Sequence, residues 1–437
     1  MRQNTKERIK TISIVLLSIS AVALGLGTGL FDAPIRAGGL YTVIEEMRLA
    51  HPLRQEIAVP AAWPTTVMAT AEPGLHRGYR LTGQEGNDSG PRLIYDLFSG
   101  SFGEALGSSG ESVVVGQEAW ERALTGPGIF FRYDVEVPGD VLARWFGVEP
   151  GGAVGLMELI CLSVGPDTVY LYYMGRDGIP HRSPTALRPA DIRESLEMLE
   201  PNGALYGFTQ TEDIDPYTIF LPHYSGIPTL RESNAIGAVH GQRDAFLTSL
   251  GMNTALVRSL DEPGIRTIVE ENATLRLYED GLIRYQYLDT RPHIEEEPLD
   301  LAQAIEIARQ IAGTLRLVSG EADIYLVDWV QDGAEFVLEF HYYIGGLPIW
   351  TDRPAATVIL NGSQVTEVIL LARYYARTEG FSSLIPKRQA AAAGGGSLIL
   401  AYVPTMDPEG QQTQGIFTEL RAAWLLGNRT GEGDGRG

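Results

Sequence analysis

Residues 324–375 read IYLVDWVQDGAEFVLEFHYYIGGLPIWTDRPAATVILNGSQVTEVILLARYY. Apolar and polar residues alternate through several short runs of this segment, as they do in strands of a sheet that has one buried face. Asp332-Gly333 and Asn361-Gly362 separate some of the runs, and both dipeptides favour tight hairpin turns. The segment therefore predicts a meander of antiparallel strands over residues 324–330, 336–343, 356–360 and 365–375.

A helix is predicted immediately before this meander. Asp300 is a favourable N-cap residue, and Gln303 stands three positions later, which is the spacing of a capping box. A helix packed on one face of an antiparallel sheet gives an α+β fold. Apolar residues recur at helical spacing until Gly313, where we expect the helix to end: Leu301, Ile305, Ala308 and Ala312.

A shorter version of the same plan lies just upstream. Residues 244–250 predict a helix that is closed by Gly251. Strands are predicted over 275–278 and 282–288, and the turn Asp280-Gly281 joins them into a hairpin. The chain therefore contains two architecturally similar segments in succession.

The rest of the chain after residue 60 is divided by its sequence pattern. Residues 61–235 mix short apolar runs and helical patches with many Gly and Pro residues, which predicts a separate α+β domain. Two helix-plus-hairpin units follow, 236–290 and 291–426, and the second includes a C-terminal helix and strand segment. Residues 427–437 are polar, and we expect them to be a disordered tail.

The N-terminus has the pattern of a membrane anchor. Residues 1–10 are basic, and residues 11–31 carry no charge. A helix of that length spans roughly 30 Å, the thickness of a bilayer core. The positive-inside rule places residues 1–10 in the cytoplasm and the bulk of the chain on the extracytoplasmic side of a single-pass span. Residues 32–60 predict a juxtamembrane helix and linker.

A cleaved signal peptide is the alternative interpretation of this segment. Ala21-Val22-Ala23 has the small-residue pattern of a cleavage site after Ala23, whereas the uncharged run that continues to Phe31 favours a retained anchor. Small residues spaced by four let a second helix approach closely, so such a face is our candidate interaction site. Three residues form it: Ala21, Gly25 and Gly29.

Composition excludes several classes of function. The 437 residues include 34 Lys+Arg against 55 Asp+Glu, and the net charge of -21 disfavours binding to nucleic acid. The single cysteine, Cys161, excludes an intramolecular disulfide and a thiolate-rich metal site. No HExxH, nucleophile-elbow or Walker motif is present. We therefore predict no enzymatic activity, no catalytic or metal-binding residues and no cofactor.

Aromatic residues surround the histidine of the meander. The four are Trp329, Tyr342, Tyr343 and Trp350, and strand alternation sends about half of such a stripe into the core. The stripe either packs in the core, which we favour, or lines a partner surface. His341 alternates with these rings, and we predict a packed or surface residue rather than a metal ligand.

The run from Leu299 to Tyr375 resembles the C-terminal region of the YycH and YycI proteins. The resemblance rests on an Ala-rich helix over 301–312, the strand at Asp328-Trp329 and the aromatic run FHYYIGGLPIW over 340–350. That run is similar to the family's aromatic strand that ends in G-x-P-[IV]-[FW]. The order of the next features also matches: Asn361-Gly362, Leu384-Ile385-Pro386, Leu400-Ala401-Tyr402-Val403 and Ala423-Trp424.

The length of the chain, with a large N-terminal domain before two similar units, is like YycH rather than the shorter YycI. The strand and helix organisation also resembles PepSY-type modules. The resemblance implies a non-enzymatic, membrane-anchored regulator that binds a sensor histidine kinase of the WalK (YycG) type, together with a YycI-like protein, and modulates cell-wall signalling. An exported PepSY-like inhibitor or ligand-binding module is the alternative, and an exported hydrolase has the least support.

Overall fold

The computed structural model describes residues 61–80, 90–153, 155–209, 215–220, 226–288, 299–386, 389–390, 397–405 and 417–427. All of them belong to one compact unit, Ile57–Gly437. The predicted cytoplasmic tail, membrane helix and juxtamembrane segment lie outside these residues, as do part of the predicted C-terminal helix and residues 428–437 of the predicted tail. Within the described ranges, no helix is both long enough and apolar enough to cross a bilayer.

The helices and strands alternate in an order typical of an α+β protein. The α-helices are α1 (Gly90–Ser108), α2 (Gln117–Thr125), α3 (Gly139–Trp145), α4 (Pro189–Glu197), α5 (Ile236–Gly241), α6 (Arg243–Ser249) and α7 (Leu301–Gly313). The strands are β1 (Thr66–Glu72), β2 (Leu75–Arg80), β3 (Val113–Val114), β4 (Gly128–Pro138), β5 (Leu156–Val164), β6 (Val169–Met174), β7 (His181–Pro184), β8 (Leu205–Tyr206), β9 (Ile219–Phe220), β10 (Ile227–Asn234), β11 (Arg258–Glu262), β12 (Ile265–Glu270), β13 (Ala273–Tyr278), β14 (Leu282–Tyr287), β15 (Asp323–Asp332), β16 (Glu335–Ile344), β17 (Leu347–Pro348), β18 (Ala356–Asn361), β19 (Gln364–Leu371), β20 (Arg373–Ser382), β21 (Ser397–Pro404) and β22 (Thr418–Gly427).

The N-terminal domain is built on a seven-stranded antiparallel sheet. Its strand order is β2-β1-β4-β5-β6-β7-β3. Helices α1, α3 and α4 cover one face, where Phe131 and Ile160 are buried, and α2 covers the other, where Phe130 and Cys161 are buried. Because both faces are buried, β4 and β5 are apolar almost continuously rather than alternating. Helices on one face were expected, so this sheet differs from the prediction.

The two predicted helix-plus-hairpin units share one nine-stranded antiparallel sheet. Its main path is β11-β12-β13-β14-β19-β18-β16-β15, and β17 pairs with β16. Each half is a meander preceded by helix, and the last strands of the two meanders, β14 and β19, pair antiparallel at the centre. Antiparallel pairing of equivalent strands relates the two halves by an approximate two-fold axis. All of the domain boundaries predicted from the sequence, including that of residues 61–235, stay predictions.

Helix α7 begins as the sequence predicts. The Gln303 amide N–H donates to Asp300 Oδ1 at 2.7 Å, and the Asp300 amide N–H donates to Gln303 Oε1 at 3.0 Å. The buried face of the helix packs on β15, β16 and β18, and its alanines allow close approach. The opposite face of the sheet carries the side chains that alternate with the buried ones, and these are half-exposed.

A four-stranded sheet joins the C-terminal segment to the N-terminal domain. Its strand order is β20-β10-β22-β21. Strand β10 lies within residues 61–235, the predicted N-terminal domain, yet it pairs between β20 and β22. Strand β22 therefore pairs with a strand about 190 residues upstream, and β21 pairs with β22.

Candidate interaction surface

The nine-stranded sheet has an open face, opposite the face on which α7 packs. We define the open face by one row of eight residues that the strand register places side by side; seven are partly exposed and Leu260 is exposed. Two pairs of like charges in this row determine its electrostatics: Arg276 with Arg284, and Asp328 with Glu339. The row runs Asp328, Glu339, Thr357, Ile369, Arg284, Arg276, Thr267 and Leu260.

The middle of the open face is basic. Arg276 on β13 lies directly opposite Arg284 on β14. Like charges directly opposite each other destabilise a strand pair. Two acceptors offset this repulsion: Arg284 Nε donates to Glu367 Oε1 at 2.7 Å, and Arg276 Nη1 donates to Gln286 Oε1 at 3.1 Å. Only one of the two arginines therefore has a carboxylate partner among these contacts.

The β15–β16 end of the open face is acidic. Glu339 lies directly opposite Asp328. Burial of the carboxyl group raises the pKa of Glu339, and the charge of Asp328 raises it further. Arg176 of the N-terminal domain forms an ion pair with Asp328 at 3.4 Å, but both side chains are about half-exposed, which makes the contact weak. The middle and the β15 end of the row thus each place like charges together, at a cost that a bound partner of opposite charge would relieve.

The N-terminal domain meets the nine-stranded sheet along β15. The Leu326 amide N–H donates to Ala61 O at 2.9 Å, and Trp329 Nε1 donates to Glu136 O at 2.8 Å. The Tyr343 hydroxyl donates to Asp134 Oδ2 at 3.2 Å. Through these hydrogen bonds the N-terminal domain contacts the β15 end of the sheet.

The aromatic stripe that the sequence singled out divides between core and surface. Tyr342 and Tyr343 are buried, and the Tyr342 hydroxyl donates to Leu371 O at 2.6 Å. Trp350, in contrast, is 56% exposed. His341 lies half-buried on β16 opposite Tyr325, and burial lowers its pKa. It therefore has the surroundings of a neutral packed histidine.

Two features of the described residues bear on catalysis. They contain no cluster of three or more His, Cys, Asp and Glu side chains that could hold a metal ion. The Cys161 thiol lies 3.6 Å from Ala123 O, and burial raises its pKa, which disfavours the reactive thiolate.

A shallow cavity of about 230 Å³ lies between α5, α6 and β12. Its lining includes Arg243 and Arg266, and both form ion pairs with carboxylates, of Asp244 and Asp261 respectively. Burial lowers the pKa of His240 beside them, and the charge of Arg266 lowers it further. The cations of this cavity are therefore already neutralised within the chain.

The interaction site predicted from the sequence lies elsewhere in the chain. Ala21, Gly25 and Gly29 are outside the residues that the structure describes, so their role stays a prediction. The open face was not predicted, because its residues come together only through the strand register. The alternation in residues 282–287 and 364–371 is the sequence signal that points to a half-exposed face.

The architecture defines a class: a mixed α/β protein built of large antiparallel sheets with helices packed on them. No family model matches the sequence, and no curated protein matches it in a sequence comparison. Among solved structures, the chain is similar to the crystal structure of YycH from Bacillus subtilis, with a TM-score of 0.50 and 10% sequence identity. The match covers 80% of this chain and 92% of that chain. The fold is therefore YycH-like, as the sequence resemblance predicted.

Proposed function

We propose that this protein is a non-enzymatic, membrane-anchored regulator of a sensor histidine kinase that belongs to a two-component system controlling the cell wall. The observation that carries the proposal is the extent of the structural likeness to YycH, which covers 92% of that chain rather than a single module. The resemblance over residues 299–375 supports it through sequence features that a comparison of backbones does not use.

Two contacts with the kinase follow from this proposal. Inside the bilayer, the small-residue face of Ala21, Gly25 and Gly29 packs against a helix of the kinase or of a YycI-like protein. On the extracytoplasmic side, the open face binds the kinase, because its opposed like charges are relieved by a partner of complementary charge. Regulation requires that these contacts differ between two states of the kinase, since a partner shifts an equilibrium only by its differential affinity.

The first experiment is a pull-down from membranes with the full-length protein, tagged at its C-terminus, followed by mass spectrometry. Recovery of a histidine kinase from the membrane fraction is the expected result. A tagged chain that appears in the medium and recovers only a protease or peptides would overturn the proposal in favour of an exported inhibitor.

A pair of arginine variants tests the open face. Arg276→Glu should weaken recovery of the kinase at least tenfold while leaving the protein folded, because the new carboxylate lies opposite Arg284 and removes their repulsion. Arg193→Glu is the matched control, since it makes the same change of charge on an exposed position of α4. Equal recovery with both variants would exclude the open face as the contact. Gly25→Ile with Gly29→Ile tests the membrane contact separately.

A further inference from the structure

Strand β11 is a free edge of the nine-stranded sheet. Its five residues, Arg258–Glu262, are all exposed, and in the part of the chain that the structure describes it pairs with β12 alone. The opposite edge differs, because β15 is hydrogen-bonded to the N-terminal domain through Ala61. An exposed edge strand presents unpaired backbone N–H and C=O groups that can pair with another strand.

The hairpin turn determines which backbone groups of β11 face outward. Glu262 and Ile265 flank the two-residue turn Pro263-Gly264, and such flanking residues exchange hydrogen bonds with each other. Hydrogen-bonded and non-hydrogen-bonded pairs then alternate along the strand. Arg258, Leu260 and Glu262 therefore bond to β12, and Ser259 and Asp261 direct their N–H and C=O groups to the free side.

We propose that β11 pairs antiparallel with β11 of a second copy of this chain, about a two-fold axis at Leu260. In this register Ser259 of one copy lies opposite Asp261 of the other, so the outward groups of the two strands meet. Arg258 lies opposite Glu262 of the second copy, and this ion pair forms twice. The two Leu260 side chains, each 58% exposed in a single copy, contact each other across the axis.

The strand sequence is self-complementary in charge, which distinguishes this register from its neighbours. When two copies of residues 258–262 are aligned antiparallel, Arg258 of each copy lies opposite Glu262 of the other. The net charge of -21 opposes association of two copies, but at physiological ionic strength charges are screened beyond about 8 Å. Contacts at the strand then outweigh the repulsion of more distant charges.

Disulfide cross-linking tests the register in the full-length protein. In a non-hydrogen-bonded antiparallel pair the Cα atoms are about 4.5 Å apart, which a disulfide can span. Leu260→Cys should therefore form a disulfide-linked dimer under mild oxidation, and the native Cys161 does not interfere because it is buried. Arg258→Cys is the control: its two thiols would be about 13 Å apart in this register, so no cross-link is expected.

Charge-swap variants test the same contact by sedimentation in detergent. Arg258→Glu and Glu262→Arg should each reduce the dimer fraction severalfold, because each places like charges opposite each other twice. Mixing the two variants should restore dimers, and so should the double variant, since both restore opposite charges. A dimer fraction that none of these changes alters, or equal cross-linking at positions 258 and 260, would overturn the proposal. A wild-type chain that sediments only as a monomer and whose Leu260→Cys variant forms no cross-link would do the same.

Discussion

Replacing Gly281 by alanine is expected to destabilise the protein by about 2–5 kcal/mol. Gly281 ends the turn between β13 and β14 with a φ of 91°, a conformation that costs an L-residue about 1–2 kcal/mol. A Cβ atom there would clash with Arg373 Nη1 and would lie only 2.8 Å from Ala372 O. Overpacking of this kind adds about 1–3 kcal/mol.

The new methyl group would disturb a contact that joins three parts of the chain. Arg373 Nη1 donates to Asp280 O at 2.7 Å, and Arg373 Nε forms an ion pair with Glu232 Oε1 at 3.0 Å. Strand β10, the β13–β14 turn and the start of β20 therefore meet at one guanidinium group. Displacing it removes hydrogen bonds from partly buried groups, which is the reason for the upper half of the expected range.

The assay is equilibrium unfolding of the full-length protein by urea, followed by tryptophan fluorescence. Gly333→Ala is the matched control, because Gly333 has a φ of 59° in the β15–β16 turn and a Cβ there meets nothing within 4 Å. Only the backbone cost of about 1–2 kcal/mol is then expected. Equal losses in the free energy of unfolding for the two variants would refute the packing argument.

Two further substitutions probe charged groups. Glu339→Gln should raise the free energy of unfolding at pH 7, because the folded state holds the pKa of this carboxyl above its ordinary value and so disfavours the charged form. The gain should vanish below about pH 4, where the carboxyl is protonated in the folded and the unfolded state. A gain that persists at that pH would contradict this cause. So would an equal gain from Glu335→Gln, which changes an exposed residue. Asp215→Asn should cost about 3 kcal/mol, since it removes the partner that lies 2.6 Å from the Arg132 guanidinium and is 2% exposed. A loss at the lower end of the range for a buried ion pair is expected because Glu158 remains 3.9 Å from Arg132. Urea unfolding at neutral pH measures this loss of stability.

Local signals predicted the central elements of the fold. The capping box at Asp300 and the turns at Asp280-Gly281, Asp332-Gly333 and Asn361-Gly362 depend on residues within a few positions, so one sequence suffices to find them. The strands of residues 324–375 alternate because one face is buried and the other is open. The capping box, the turns and the strands over 324–330, 336–343 and 356–360 appear close to the expected bounds. The predicted strand over 365–375 is instead divided at Ala372 between β19 and β20, which belong to different sheets.

Elements that depend on partners distant in the chain were not predicted from the sequence. Strand β10 pairs with β20 and β22, which follow it by about 140 and 190 residues, and no local pattern records such a partner. Strand β11 reads RSLDE and is exposed along its length, so it lacks the alternation that marks a half-buried strand. The basic and acidic parts of the open face are likewise set by register, because a shift of one residue would send Arg276 and Arg284 to the other face.

The arrangement of the nine-stranded sheet limits how the proposed regulator could act. The open face crosses the seam between β14 and β19, so a partner bound along it contacts both halves of the sheet at once. At the seam, the ion pair between Arg284 and Glu367 joins one half to the other across the strands. A partner that drew Arg284 toward its own acidic group would compete with Glu367 and weaken that link. Binding and the geometry of the seam are therefore coupled through one guanidinium group, which gives the proposed regulator a physical route for responding differently to two states of the kinase.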